Sequence, residues 1–250
     1  MARRLTQGQI DEIERLAKAG RSIRDISRSL HISKTTVYYH ARKYCRKMTK
    51  LDLTLLSELE KGYIAGVFLG DGDINRGRKT QRYIVRFSLD RRRDQDISAR
   101  LHEIFRKGGK KVSIFPRDAT LIVKVCSKEL VNYIQTHIEY RRNPDNQTEK
   151  TLLTSEDWSQ RFQYGILAGV IDSDGHVHKH LGTEVKTVSS TVFRDVLRIL
   201  TNLGIKAKTK IRQATEESYS KKQRYVMYIP SAQMKANKRK IPSAKVARFL

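Results

Sequence analysis

The sequence predicts an α+β protein, with a small all-helical domain followed by a larger domain built twice over. Three observations carry this expectation. Apolar residues recur at helical spacing through the first fifty positions, an apolar helix ending in Asp-Gly occurs twice, and each copy is followed by the same order of strands and helices. The expected bounds are residues 1–48 for the first domain, 49–57 for a linker and 58–250 for the second, with halves near 58–145 and 155–250.

In the first domain Ile10, Ile13, Leu16 and Ala17 share a helix face, and Gly20 stops the helix. Ser22 opens a second short helix through Ile23, Ile26 and Leu30. After a tight turn at His31-Ile32, Ser33 is placed to cap a third helix through Thr35, Val37, Tyr38 and Arg42. Three short helices, the last two joined by a tight turn, make a helix-turn-helix.

In the second domain Tyr63-Ile-Ala-Gly-Val-Phe-Leu-Gly-Asp-Gly72 recurs as Ile166-Leu-Ala-Gly-Val-Ile-Asp-Ser-Asp-Gly175. The strand RYIVRFSL and a helix around Ile97, Leu101 and Ile104 follow the first copy. TEVKTVSS and a helix around Phe193, Leu197 and Leu200 follow the second. These helices stop at Gly108 and Gly204. The strands VSIF and TLIVKV in one half then match KTKIR and RYVMYI in the other, before a closing helix. Asp71 to Ser127 is 56 residues and Asp174 to Ser231 is 57, which marks a duplicated unit.

Of 250 residues, 51 are Lys or Arg and 26 are Asp or Glu, a net charge of +25. Such an excess repels itself unless a polyanion is near, and nucleic acid is the leading candidate. No apolar run reaches the roughly 18 residues of a membrane-spanning helix. No secretory signal peptide opens the chain, and Cys45 and Cys126 are too few for a disulfide framework. An intracellular protein is expected, in cytoplasm, nucleoid or organelle.

Gly66 and Gly70 lie four apart on one motif helix, as Gly165 and Gly169 do on the other. Small residues at that spacing let helix backbones approach closely. Side by side, the two helices bring their C-termini together, where unpaired carbonyls and the helix dipole are already negative. Asp71 and Asp174 at these ends are unfavourable unless a divalent cation sits among them. Oxygen-only ligation favours Mg²⁺ over zinc, with Mn²⁺ expected to substitute.

The two motifs resemble those of the LAGLIDADG homing endonucleases in their single-chain, two-motif form, over roughly residues 58–250. LAGVIDSDG is close to the family pattern. IAGVFLGDG is looser, and Leu69 stands where the family often has an acid. The resemblance implies αββαββα halves related by a pseudo-two-fold axis, with a saddle of strands over double-stranded DNA. It implies a site-specific, metal-dependent endonuclease acting as a monomer on a long asymmetric site. Asp71 and Asp174 would bind metal and act catalytically, with carbonyls of Gly70 and Ser173 as further ligands and Asp172 bracing the helix junction. Lys186 and Lys124 are candidates for the basic residues that active members add, while Leu89, Asp90 and Val188 stand at positions where the resemblance implies polar or basic side chains. Leu5 to Lys43 similarly resembles the helix-turn-helix of resolvases, invertases and transposases.

In that geometry the third helix enters the major groove. Lys34, Thr35, Thr36, Tyr38 and Tyr39 then meet bases or phosphates, Arg42 the backbone, and Arg3 and Arg4 a minor groove. Strand alternation turns Arg82, Ile84, Arg86, Ser88 and Asp90 toward DNA, with Arg76, Arg78 and Lys79 in the preceding loop. The counterpart strand offers Thr183 and Lys186, and the hairpin after Gly204 offers Lys206, Lys208, Lys210 and Arg212. His176, His178 and His180 alternate; on one strand they would share a face, which raises a zinc site, although DNA contact is preferred there. Two rivals stand beside the nuclease: a non-cleaving transcriptional regulator that keeps the fold as a clamp, and a maturase bound to intron RNA.

Overall fold

A computed structural model describes residues 5–44, 50–76, 83–142, 148–153, 157–213 and 223–249. The chain divides into two compact units, Met1–Thr49 and Lys50–Leu250.

The first unit holds α1 (Gln7–Lys18), α2 (Ile23–Leu30) and α3 (Lys34–Ala41). Each start is fixed by a side chain that accepts from an otherwise unpaired backbone N–H. Thr6 forms a capping box with Gln9, Ser22 accepts from Asp25 N–H and Ser33 from Thr36 N–H. The turn into α3 passes through His31 in the left-handed region, at φ 52°. Ile13, Ala17, Ile26, Val37 and Ala41 form a core of their own.

In the second unit, α4 (Glu58–Asp71) leads into β1 (Gly72–Arg76) and β2 (Tyr83–Asp90). There follow α5 (Gln95–Lys107), β3 (Ser113–Arg117), β4 (Thr120–Cys126) and α6 (Lys128–His137). After the hairpin β5 (Ile138–Arg142) and β6 (Thr148–Leu152), the pattern returns as α7 (Gln160–Asp174), β7 (Gly175–Val177), β8 (Thr183–Thr187), α8 (Ser190–Asn202), β9 (Lys208–Arg212), β10 (Arg224–Ile229) and α9 (Ser231–Asn237). A short α10 (Ala244–Ala247) ends it. The sheets have matching orders, β1-β2-β4-β3 and β7-β8-β10-β9, antiparallel throughout. The αββαββα duplication is thus present in both halves. One core, from Leu51 to Val246, runs through them.

Four details differ from the sequence reading. Leu51 and Leu56, in the expected linker, are buried in this core, and Asp52 N–H donates to Gly108 O. The hairpin β5–β6 between the halves has no repeat counterpart and was not anticipated. β8 ends at Thr187, because Ser189 caps α8 through Val192 N–H. His178 to Leu181 form a turn rather than a strand, so the three histidines do not share a strand face.

α4 and α7 touch backbone to backbone. A β-carbon built on Gly66 would lie 2.2 Å from Ile166 O, and one on Gly169 would lie 2.5 Å from Tyr63 O. Gly62 and Gly165 extend the seam by one turn, with the same clash at 2.1 and 2.2 Å. No side-chain rotation relieves a contact with a carbonyl, so any β-carbon must separate the helices. Gly66→Ala is expected to cost at least about 3 kcal/mol in chemical denaturation. Gly8→Ala, at a helical position where an added β-carbon meets nothing within 4 Å, serves as the control and should leave stability unchanged or slightly raised.

Candidate metal and DNA site

The glycine seam ends where both motifs end. Asp71 closes α4 and Asp174 closes α7, each followed by a glycine that starts a strand. A β-carbon on Gly70 would fall 2.2 Å from Ser173 Oγ and 3.0 Å from Asp174 Oδ2, so the Asp174 carboxylate lies over the end of α4. Both acids are half-buried. Burial and then the nearby Asp174 raise the Asp71 carboxyl to about 7, against the pull of Lys245 and Lys150. Burial raises Asp174 to about 6, opposed by Lys150 and Lys245.

These two lysines are the basic residues of the site, and sequence reading missed both. Lys150 reaches in from β6 and donates from Nζ to Phe68 O, Leu69 O and Gly70 O at 2.8, 3.1 and 3.2 Å. It caps the last turn of α4 with a positive charge where the dipole is negative. Burial lowers its ammonium to about 8, against the attraction of Asp174, Asp71 and Asp73. Lys245 does the same for α7, donating to Gly175 O at 3.0 Å and Ser173 O at 3.4 Å, and it lies 4.0 Å from Asp94. Each lysine caps one helix yet weighs more heavily on the acid of the other. The signal available in sequence was slight: Lys150 lies in a segment without repeat counterpart, and Lys245 is one of many C-terminal lysines.

Lys124 and Lys186 are placed elsewhere. Lys124 stands across from Arg86 and Ser113 on the open face of its sheet, and Lys186 is ion-paired with Glu184 at 2.8 Å. The charges that act on the two acids come from Lys150 and Lys245 instead. Val188 is exposed, and Asp90 accepts the backbone N–H groups of Arg92 and Arg93 in a turn. Leu89 is in the core.

Asp172 is fully buried. It accepts from Tyr63 OH of α4 at 2.8 Å, from Ser243 OH at 2.5 Å, and from the Ala244 and Lys245 N–H groups at 2.8 and 2.9 Å. One carboxylate thus ties together both motif helices and the C-terminal segment that delivers Lys245. Arg248 clamps the same segment to Asp96 of α5 at 2.7 and 2.5 Å.

The donor set fits a hard divalent cation. The Asp174 carboxylate lies over the helix end that Asp71 closes, beside carbonyl oxygens, and burial makes each acid bind a proton more tightly than it would in water, a cost that a bound cation would offset. Among the described residues no group of three or more acids, histidines or cysteines is placed to hold a metal, although the charge of Asp94, 4.0 Å from Lys245, also raises Asp71. Mg²⁺, which keeps several waters and takes one or two carboxylates plus substrate phosphates, suits such a set. The Gly70 and Ser173 carbonyls already accept from lysines, and each retains a second lone pair.

On the sheets, Ser88, Lys208, Lys210 and Arg212 are exposed, and Arg86 is half-buried and paired with Asp73 at 2.5 Å. Thr183 does not face outward: it is fully buried beside Val185 and donates to Leu181 O. It and Lys186 are three residues apart and therefore on opposite faces. Ile84 is buried, outside the main core. In the first unit Lys34, Thr35, Tyr38, Tyr39 and Arg42 are exposed, with Arg42 over the Tyr39 ring, while Thr36 shares its hydroxyl with Ser33. Arg3, Arg4, Arg78, Lys79 and Arg82 lie outside the described residues, as does the Arg76 side chain.

Several solved structures share this architecture. The structure of I-DmoI in complex with DNA and Ca superposes with a TM-score of 0.54 at 16% identity, covering 75% of this chain and 92% of that one. Mesophilic variants of I-DmoI give 0.53 at 16% identity, over 75% and 98%. The N-terminal LAGLIDADG domain of DUF199/WhiA gives 0.51 at 14%, over 78% and 88%. The fold is the LAGLIDADG fold. Residues 149–248 match the family model described as homing endonuclease, which places the second LAGLIDADG motif and Lys245 within that match. Among curated proteins, no sequence matches the chain.

The paired acids give the protein a definite pH dependence without metal. Their folded-state affinity for protons exceeds that of the unfolded chain, near 3.8, so the folded state binds more protons between about pH 4 and 7. The contribution of the two acids to stability therefore falls as pH rises through this window and is constant above it. Asp71→Asn, which removes the larger shift, is expected to stabilise the metal-free protein at pH 8 by roughly 1–3 kcal/mol and to flatten the slope of Tm against pH.

Proposed function

We propose that the protein is a site-specific endonuclease acting on double-stranded DNA with a divalent cation, Mg²⁺ or Mn²⁺. The observation that carries this reading is that two helices packed backbone to backbone end in Asp71 and Asp174, with the Asp174 carboxylate over the end of α4, in a chain of net charge +25. The match of residues 149–248 to the homing endonuclease model, and the likeness to a structure containing DNA and Ca, support it.

Asp71 and Asp174 would hold the cation, with the Gly70 and Ser173 carbonyls beside them. When bound, the cation stabilises charge on the attacking and leaving oxygens of the phosphodiester. Lys150 and Lys245 fix the two helix ends so that the acids keep their separation as DNA enters, and they offset repulsion between the acids and phosphate. The closed glycine seam keeps water from the space behind the carboxylates. Cations on the sheet faces bind the DNA, and two unlike halves suit an asymmetric site read by a monomer. The helix-turn-helix, through Lys34, Thr35, Tyr38, Tyr39 and Arg42, would lengthen the footprint and add affinity by tethering within the same chain. The protein acts inside the cell, wherever that DNA resides.

A second reading, a clamp that binds and does not cut, draws on the likeness to the WhiA domain. The two are separated by a plasmid library with randomised inserts incubated with protein and Mg²⁺. Linearised members are expected; a library left intact by protein that still binds selected duplexes contradicts the nuclease. On a selected site, Asp174→Asn should slow cutting at least about a hundred-fold while leaving binding within a few-fold.

A further inference from the structure

The two open sheet faces are chemically unlike. Residues directly opposite in an antiparallel ladder share a face, and in the first sheet Val85, Phe87 and Val123 face the helices. The opposite face carries the rows Asp73–Arg86–Lys124–Ser113 and Ser88–Ile122–Phe115. Its net charge is small: Asp73 accepts from Arg86 as well as from Tyr140 OH, and a further row, Asp90–Thr120–Arg117, sets one acid beside one cation, which leaves Lys124 in excess. Its apolar content is high for a polar face: Ile122 is buried there outside the main core, and Phe115 stands 41% exposed at the edge.

In the second sheet the corresponding face carries Lys186–Val226–Lys210, then Glu184–Tyr228–Lys208, then Arg224–Arg212. One acid sits among five cations. Glu184, its side chain only 17% exposed, holds Lys186 at 2.8 Å and lies 3.9 Å from Arg212, while those two cations remain about half exposed at 46% and 54%. A carboxylate in that place aims two flexible cations instead of leaving them to wander over phosphates.

In the major groove, Arg and Lys pair with guanine O6 and N7, and apolar groups pack on the thymine methyl. We propose that the two sheets read different bases: the β7–β10 sheet reads guanines through Lys186 and Arg212 aimed by Glu184, and the β1–β4 sheet reads thymine methyl groups through Phe115. The target then has a half anchored on G·C pairs and a half anchored on A·T pairs. This rests on the DNA-endonuclease reading and names its specificity. Glu184 is a positioning residue, and Phe115, Lys186 and Arg212 are the contacts.

The test is binding selection from a randomised duplex library in Ca²⁺ with the full chain, Glu184→Gln, Phe115→Ala and Phe115→Leu, each checked for folding by thermal melting. The wild type should enrich a site of two unlike halves. Glu184→Gln should relax preference in the G·C half alone and Phe115→Ala in the A·T half alone, each by about five- to a hundred-fold at the affected positions, with Phe115→Leu retaining it. Replacing thymine by uracil in the A·T half should weaken wild-type binding about three- to ten-fold and leave Phe115→Ala unaffected. A uniform loss of affinity with an unchanged selected site overturns the proposal, since it marks phosphate contacts, and so does a site with equivalent halves. Failure of the wild type to enrich any sequence would count against the DNA reading itself.

Discussion

Everything at the centre of this protein depends on two helices touching through their backbones. Gly62 and Gly66 on α4 meet Gly165 and Gly169 on α7, with carbonyl oxygens of each helix filling the space where side chains of the other would stand. Such contact gains dispersion over a long seam and sets the axial register of the two helices. The consequence is positional. Two helices locked at that separation must finish at the same place, and each finishes in aspartate. The site follows from the packing.

That convergence is electrostatically costly, and the chain meets the cost with elements outside the duplicated pattern. One ammonium comes from the hairpin between the halves and the other from the end of the chain, and they cap the two helices. The second depends on Asp172, whose carboxylate takes four hydrogen bonds and so is fully satisfied despite complete burial. Two similar motifs therefore have dissimilar surroundings. Leu69 in one motif and Asp172 in the other embody the difference: only α7 has an acid at that level to anchor the C-terminal segment.

Much of this was legible in the sequence because it is local or repeated. Ser22, Ser33 and the two Asp-Gly steps announce their helix ends by chemistry that acts within three or four residues, and the structure places those ends accordingly. The glycine spacing told which helices meet. What was not legible depends on distant parts of the chain. Lys150 and Lys245 look like any surface lysine until the hairpin and the C-terminal segment are folded over the helix ends. Thr183 faces the core and not DNA, because three residues of strand invert its direction relative to Lys186. The histidine alternation misled because β7 ends at Val177 and the chain turns with Leu181 at φ 67°.

The central claim is that the seam exists to assemble one metal site from two half-sites. The most direct measurement is anomalous scattering from crystals of the protein grown with target duplex and Mn²⁺. Density is expected between the Asp71 and Asp174 carboxylates, within coordination distance of both motifs, and is expected to be lost in Asp71→Asn. Manganese bound only at surface acids, with the space between the two helix ends taken by the Lys150 and Lys245 ammonium groups alone, would contradict it.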